Sequence, residues 1–69
     1  MSRGHGLRAA HVADLRRRGG LSQAALAQRI GIDRVTLARI ESGHTDPHLS
    51  TVRALAQSLG VSLAEITDD

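Results

Sequence analysis

The chain is 69 residues long, enough for one domain and near the lower limit for a self-sufficient hydrophobic core. It contains no cysteine and no aromatic residue, which excludes a disulfide or thiolate metal site and confines the core to Leu, Ile, Val and Ala. Net charge is only +2, no apolar run nears the roughly 20 residues of a membrane span and no secretory signal is visible, so a soluble cytoplasmic protein is expected.

Residues 1–6 hold two glycines and no apolar periodicity, and read as a flexible N-terminal arm ahead of a single domain over 7–69. Arg3 in that arm is able to reach a phosphate or a minor groove; the alternative is a tail without a role. A first helix is predicted over residues 7–18, with Val12 and Leu15 on one face and Gly19-Gly20 ending it. Arg16, Arg17 and Arg18 fall in its last turn, where positive charge complements the helix dipole. Arg16 also lies beside the apolar face, and a half-buried arginine needs a partner.

From Leu21 to Gly43 the chain reads as two short helices around a tight turn. Ser22 is a helix cap, and Leu26, Ala27 and Ile30 share one face. Gly31 ends this helix, and Asp33 caps the next, which buries Leu37 and Ile40 and stops at Gly43. Ala27 is small where the helix axes cross. Arg34, Val35, Ala38 and Arg39 are left on the outer side. This is the pattern of a DNA-binding helix-turn-helix; its bland counterpart is a helical hairpin with solvated arginines.

His44 to Pro47 forms a loop, and Leu49, Val52, Leu55, Ala56 and Leu59 then repeat at helical spacing, giving a fourth helix over 49–59 that Gly60 ends. Ser62 and Glu65 read as a capping box for a short fifth helix of about residues 63–67, carrying Leu63 and Ile66. The fold class is therefore all-α, a five-helix bundle with no strand signal. Charge is uneven along the chain. Residues 1–40 carry eight arginines against Asp14 and Asp33, whereas residues 41–69 carry Arg53 against Glu41, Asp46, Glu65, Asp68 and Asp69. Such asymmetry fits a basic face for nucleic acid. Of the four histidines, His44 and His48 are four apart, but Pro47 breaks helical register between them and no carboxylate cluster completes a metal site. No metal, no cofactor and no enzymatic activity are expected.

The run from Val12 to Gly43, V-A-D-L-R-R-R-G-G-L-S-Q-A-A-L-A-Q-R-I-G-I-D-R-V-T-L-A-R-I-E-S-G, followed by P-H-L-S-T-V-R-A-L-A-Q-S-L-G-V-S-L, resembles the Xre / Cro–cI family of helix-turn-helix regulators. The resemblance implies a lambda-repressor-like fold of five helices with helix 3 in the major groove. It implies phosphate contacts from Ser22 and Gln23 at the start of helix 2, and from Ser42 and His44 after helix 3. It implies base reading by Arg34, Val35, Thr36, Ala38 and Arg39, and an ion pair between Arg16 and Glu41 that answers the need of Arg16. Arg34 and Arg39 have the chemistry to pair with guanine, while Val35 and Ala38 offer only apolar contact to a thymine methyl. His48 stands where Ser is common before helix 4, so that cap is weaker or shifted to Ser50.

The function so implied is sequence-specific, double-stranded DNA-binding transcriptional regulation, with repression the commonest outcome. A single recognition helix has a small footprint, so a homodimer on a palindrome is expected. Val61, Leu63 and Ile66 are the dimer candidates; burial in the protein's own core explains them equally. The alternative is an antitoxin-type module that binds a partner protein as well as DNA. A cytoplasmic, nucleoid-associated protein of a bacterium or phage fits either.

Overall fold

Two of the helices open on a side-chain cap, and the first and the fourth open without one. The computed structural model describes residues 6–68 and contains four α-helices: α1 (Ala9–Arg18), α2 (Gln23–Ile30), α3 (Arg34–Glu41) and α4 (Leu49–Leu59). Ser22 Oγ accepts from the Ala25 N–H at 3.0 Å and opens α2. Asp33 Oδ1 accepts from the Thr36 N–H at 2.8 Å and opens α3. Between them Gly31 turns the chain at φ +80°, a left-handed conformation that costs a residue with a Cβ. His48 caps α4 without any side-chain hydrogen bond, and Ser50 lies inside the helix rather than at its cap.

The predicted fifth helix is corrected. Leu63–Ile66 form one turn of 3₁₀ helix, with the Glu65 N–H donating to the Ser62 carbonyl at 3.1 Å. Thr67 limits its length, being extended and bridged antiparallel to Leu7. The Arg8 N–H donates to the Ile66 carbonyl at 2.8 Å, and the Asp68 N–H to the Gly6 carbonyl at 2.7 Å. This pairing draws Leu7 out of α1, which starts two residues later than the spacing suggests. The capping box is half made. Ser62 Oγ accepts from the Glu65 N–H at 3.3 Å, but the Glu65 carboxylate lies 3.8 Å from His11 Nε2 instead of returning to Ser62. Of the expected N-terminal arm, residues 1–5 with Arg3 lie outside the described residues.

The core is aliphatic throughout. Val12 of α1, Leu26 and Ala27 of α2, Leu37 and Ile40 of α3, Val52, Leu55 and Ala56 of α4 and Ile66 of the 3₁₀ turn form one cluster. Ile66 is fully buried, so it is a core residue and is removed from the dimer candidates. Val61 and Leu63 are half-buried against the same cluster. Burying each Leu, Ile or Val side chain of this cluster contributes about 1.5–3 kcal/mol, and α3 is held on α1 and α2 with its other face outward.

Candidate nucleic-acid interface

A helix of eight residues rises about 12 Å, and along α3 Arg34, Val35, Ala38, Arg39 and Ser42 recur at helical spacing. With His44 they line one open depression. Val35 is 57% exposed, so this row presents one large apolar side chain to solvent. Arg34 and Arg39 are exposed at either end of the row and Ala38 is half-buried between them. Thr36 stands apart from this face: it is half-buried and its N–H is spent on Asp33. The Asp33 carboxyl is held below its ordinary pKa, chiefly by that hydrogen bond from the Thr36 backbone.

What fixes the orientation of α3 is a buried ion pair. Arg16 donates from Nε to Glu41 Oε2 at 2.7 Å, from Nη2 to Glu41 Oε1 at 3.0 Å, and from Nη1 to the Leu21 carbonyl at 2.9 Å. The side chains are only 9% and 5% exposed. Such a forked contact is shape-specific as well as strong. Glu41 Oε1 also accepts from Gln23 Nε2 at 3.1 Å. One carboxylate thus joins the end of α1, the start of α2 and the end of α3. The link to Gln23 is a contact that residue spacing does not reveal, because it depends on how the start of α2 meets the end of α3. An amide nitrogen carries two hydrogens, so this bond leaves one on Gln23 for another acceptor.

At the start of α2, the Ser22 hydroxyl is committed to the cap, while the first-turn N–H groups of Gln23 and Ala24 have no acceptor within the helix. They are disposed to receive an anion. After α3, Ser42 Oγ lies 3.1 Å from the Arg39 carbonyl and 2.7 Å from His44 Nδ1. Elsewhere Pro47, Leu49, Val52, Leu63 and Thr67 line an apolar groove, with Leu49 56% exposed. Among the described residues, no group of three metal-ligating side chains is found, and no helix is long and apolar enough to cross a membrane.

Comparison with known proteins places this geometry. The family model described as "Helix-turn-helix" matches residues 12–66. The chain is 38% identical over 58 residues to the cryptic phage CTXphi transcriptional repressor RstR of Vibrio cholerae, covering 84% of this chain and 52% of that protein. It therefore spans about half the length of that relative. Among solved structures, it superposes on the P22 c2 repressor in complex with synthetic operator 9T with a TM-score of 0.78 at 26% identity, over 83% of this chain and 86% of the other. The restriction-modification controller protein C.AhdI from Aeromonas hydrophila gives a TM-score of 0.79 at 32% identity, again over 83% and 86%.

Proposed function

The chain belongs to the helix-turn-helix family, and from that premise we propose that it is a sequence-specific double-stranded DNA-binding transcriptional regulator, a repressor that binds a palindromic operator as a homodimer. The observation that carries the reading is the outward face of α3, where Arg34, Val35, Ala38, Arg39, Ser42 and His44 share one depression. A bare valine flanked by arginines is ordinary taken singly, but here it lies in one outward row with them. It is well explained as a face that meets base edges, where arginine pairs with guanine O6 and N7 and an apolar group meets a thymine methyl. The similarity to a repressor solved with its operator supports the same reading.

In this arrangement α3 enters the major groove and spans three to four base pairs, at about 3.4 Å per step. The free N–H groups of Gln23 and Ala24, with the remaining Gln23 amide hydrogen, take a phosphate on one side, and Ser42 and His44 take the backbone on the other. The buried Arg16–Glu41 pair holds the two phosphate clamps and the reading face in fixed relation. So short a footprint gives useful specificity only in two copies. The groove around Leu49 and Leu63 is the apolar surface available for a second protomer, with half-buried Val61 the further candidate. Occupying a promoter in this way excludes polymerase.

The test is selection from a random duplex pool with purified protein at one fixed salt, followed by sequencing. A palindromic consensus with guanine in each half-site is the expected result. A lone half-site would keep the reading face and remove the dimer. No enrichment from demonstrably folded protein would sink the reading, and would direct attention to a partner protein instead.

A further inference from the structure

Glu41 closes a chain of contacts that ends at the protein surface. Its buried carboxylate accepts from Arg16 Nε and Nη2 and from Gln23 Nε2. An ionised carboxylate only accepts, so the Gln23 side chain must turn its NH2 group to Glu41 and its own carbonyl oxygen away. The 3.1 Å bond to Glu41 Oε1 uses one amide hydrogen and leaves the second on the same nitrogen. That nitrogen is anchored at the start of α2, because Gln23 is the first residue of the helix and is half-buried. Of the N–H groups there, that of Ala25 is taken by Ser22 Oγ, while those of Gln23 and Ala24 have no acceptor within the helix. A glutamine amide released from Glu41 presents its oxygen as readily as its nitrogen, and an oxygen repels a phosphate. Arg16 completes the device. Its fork on the carboxylate neutralises the charge, so the group that aims Gln23 adds no net repulsion toward an anion.

Resting on the DNA-binding reading above, we propose that Glu41 is a positioning residue for DNA binding: neutralised by Arg16, it selects the donor orientation of the Gln23 amide. Gln23 then meets a phosphate with its side-chain N–H beside its own backbone N–H and that of Ala24. The ion pair thus has a second role besides holding α3. It sets affinity through the grip at the start of α2 and leaves base reading on α3 untouched. The effect also runs against plain charge. An acidic side chain near a polyanion weakens binding, whereas this one strengthens it by fixing a donor. Removing Arg16 and Glu41 together leaves net charge unchanged, so the aiming of Gln23 is separated from electrostatics.

The experiment is affinity of the full chain for an enriched duplex, read by fluorescence anisotropy over a series of salt concentrations. Arg16→Met with Glu41→Leu is expected to weaken binding by about two- to tenfold per protomer, the equivalent of freezing one rotamer-rich side chain on binding. Base preference and the salt slope stay as in wild type, since no reading side chain and no phosphate-bound cation is lost. Gln23→Met costs at least as much alone and adds less than its full cost to the double variant, because both remove the same donor. Arg16→Met with Glu41→Gln returns an oxygen acceptor to position 41 and recovers part of the loss. A measurement on the wild type needs no folded variant of the pair. The Gln23 side-chain amide protons are identified in ¹⁵N–¹H spectra by their loss in Gln23→Met. In the free protein one of them is protected from exchange with solvent and the other is not, and duplex protects the second. Equal exchange of both protons in the free protein, a second proton indifferent to duplex, full additivity with Gln23→Met, or equal affinity of the Leu and Gln double variants overturns the proposal and leaves DNA binding standing. Folded wild-type protein that binds no duplex overturns both.

Discussion

Arg16 spends all three of its nitrogens inside the protein, on Glu41 and the Leu21 carbonyl. Removing either partner leaves a charge with nowhere to go. Arg16→Ala or Glu41→Ala is expected to cost about 3 kcal/mol or more, measured by urea unfolding. Replacing both at once, Arg16→Met with Glu41→Leu, is expected to cost less than either single change, since no unpaired charge remains. At the reading face, salt dependence separates two roles for each arginine. If Arg34 or Arg39 reads guanine, its change to Ala costs about 1–3 kcal/mol of affinity and relaxes preference at one base pair. If it only neutralises a phosphate, the slope of log affinity on log salt falls by about 0.9 and preference is unchanged. The need of Arg16 for a partner was legible from helical spacing alone, and Glu41 was named by the resemblance. The bond from Gln23 was not legible, because two residues 18 apart meet only once α2 and α3 are packed.

The turn between α2 and α3 depends on backbone conformation rather than on contacts. A Cβ built on Gly31 meets nothing within 4 Å, so Gly31→Ala loses only the left-handed preference. The expected cost is about 1–2 kcal/mol, read from thermal or urea unfolding. The cap of α3 has a sign in pH. The Asp33 carboxyl is held below its ordinary value by the Thr36 N–H. Its stabilisation is therefore complete above the ordinary carboxylate range and is lost as pH falls through the lowered folded value. Asp33→Asn keeps a capping oxygen but does not titrate. The stability difference between wild type and this variant is expected to shrink between about pH 5 and pH 3, in thermal unfolding series. Four helices were legible because caps, glycines and apolar spacing act within a few residues. The last element was misread because Ser62 and Glu65 carry a helix-start pattern, while its length is set by Thr67 pairing with Leu7 at the far end of the chain.

At the scale of the whole molecule, a core with no aromatic residue leaves little stability in reserve, and the ion pair and caps matter accordingly. The same small domain holds the outward, arginine-bearing face of α3 and an apolar groove at Leu49 and Leu63. These suit DNA and a second protomer respectively. The central claim is that α3 is the element that meets DNA. It is tested most directly by amide chemical-shift mapping of ¹⁵N-labelled protein, with the enriched duplex and with a scrambled duplex of equal length. The expected result is large, sequence-dependent shifts at Gln23 and Ala24, along Arg34 to Arg39, and at Ser42 to His44. A silent α3 face would contradict it, and an equal response to the scrambled duplex would contradict sequence-specific reading by that face.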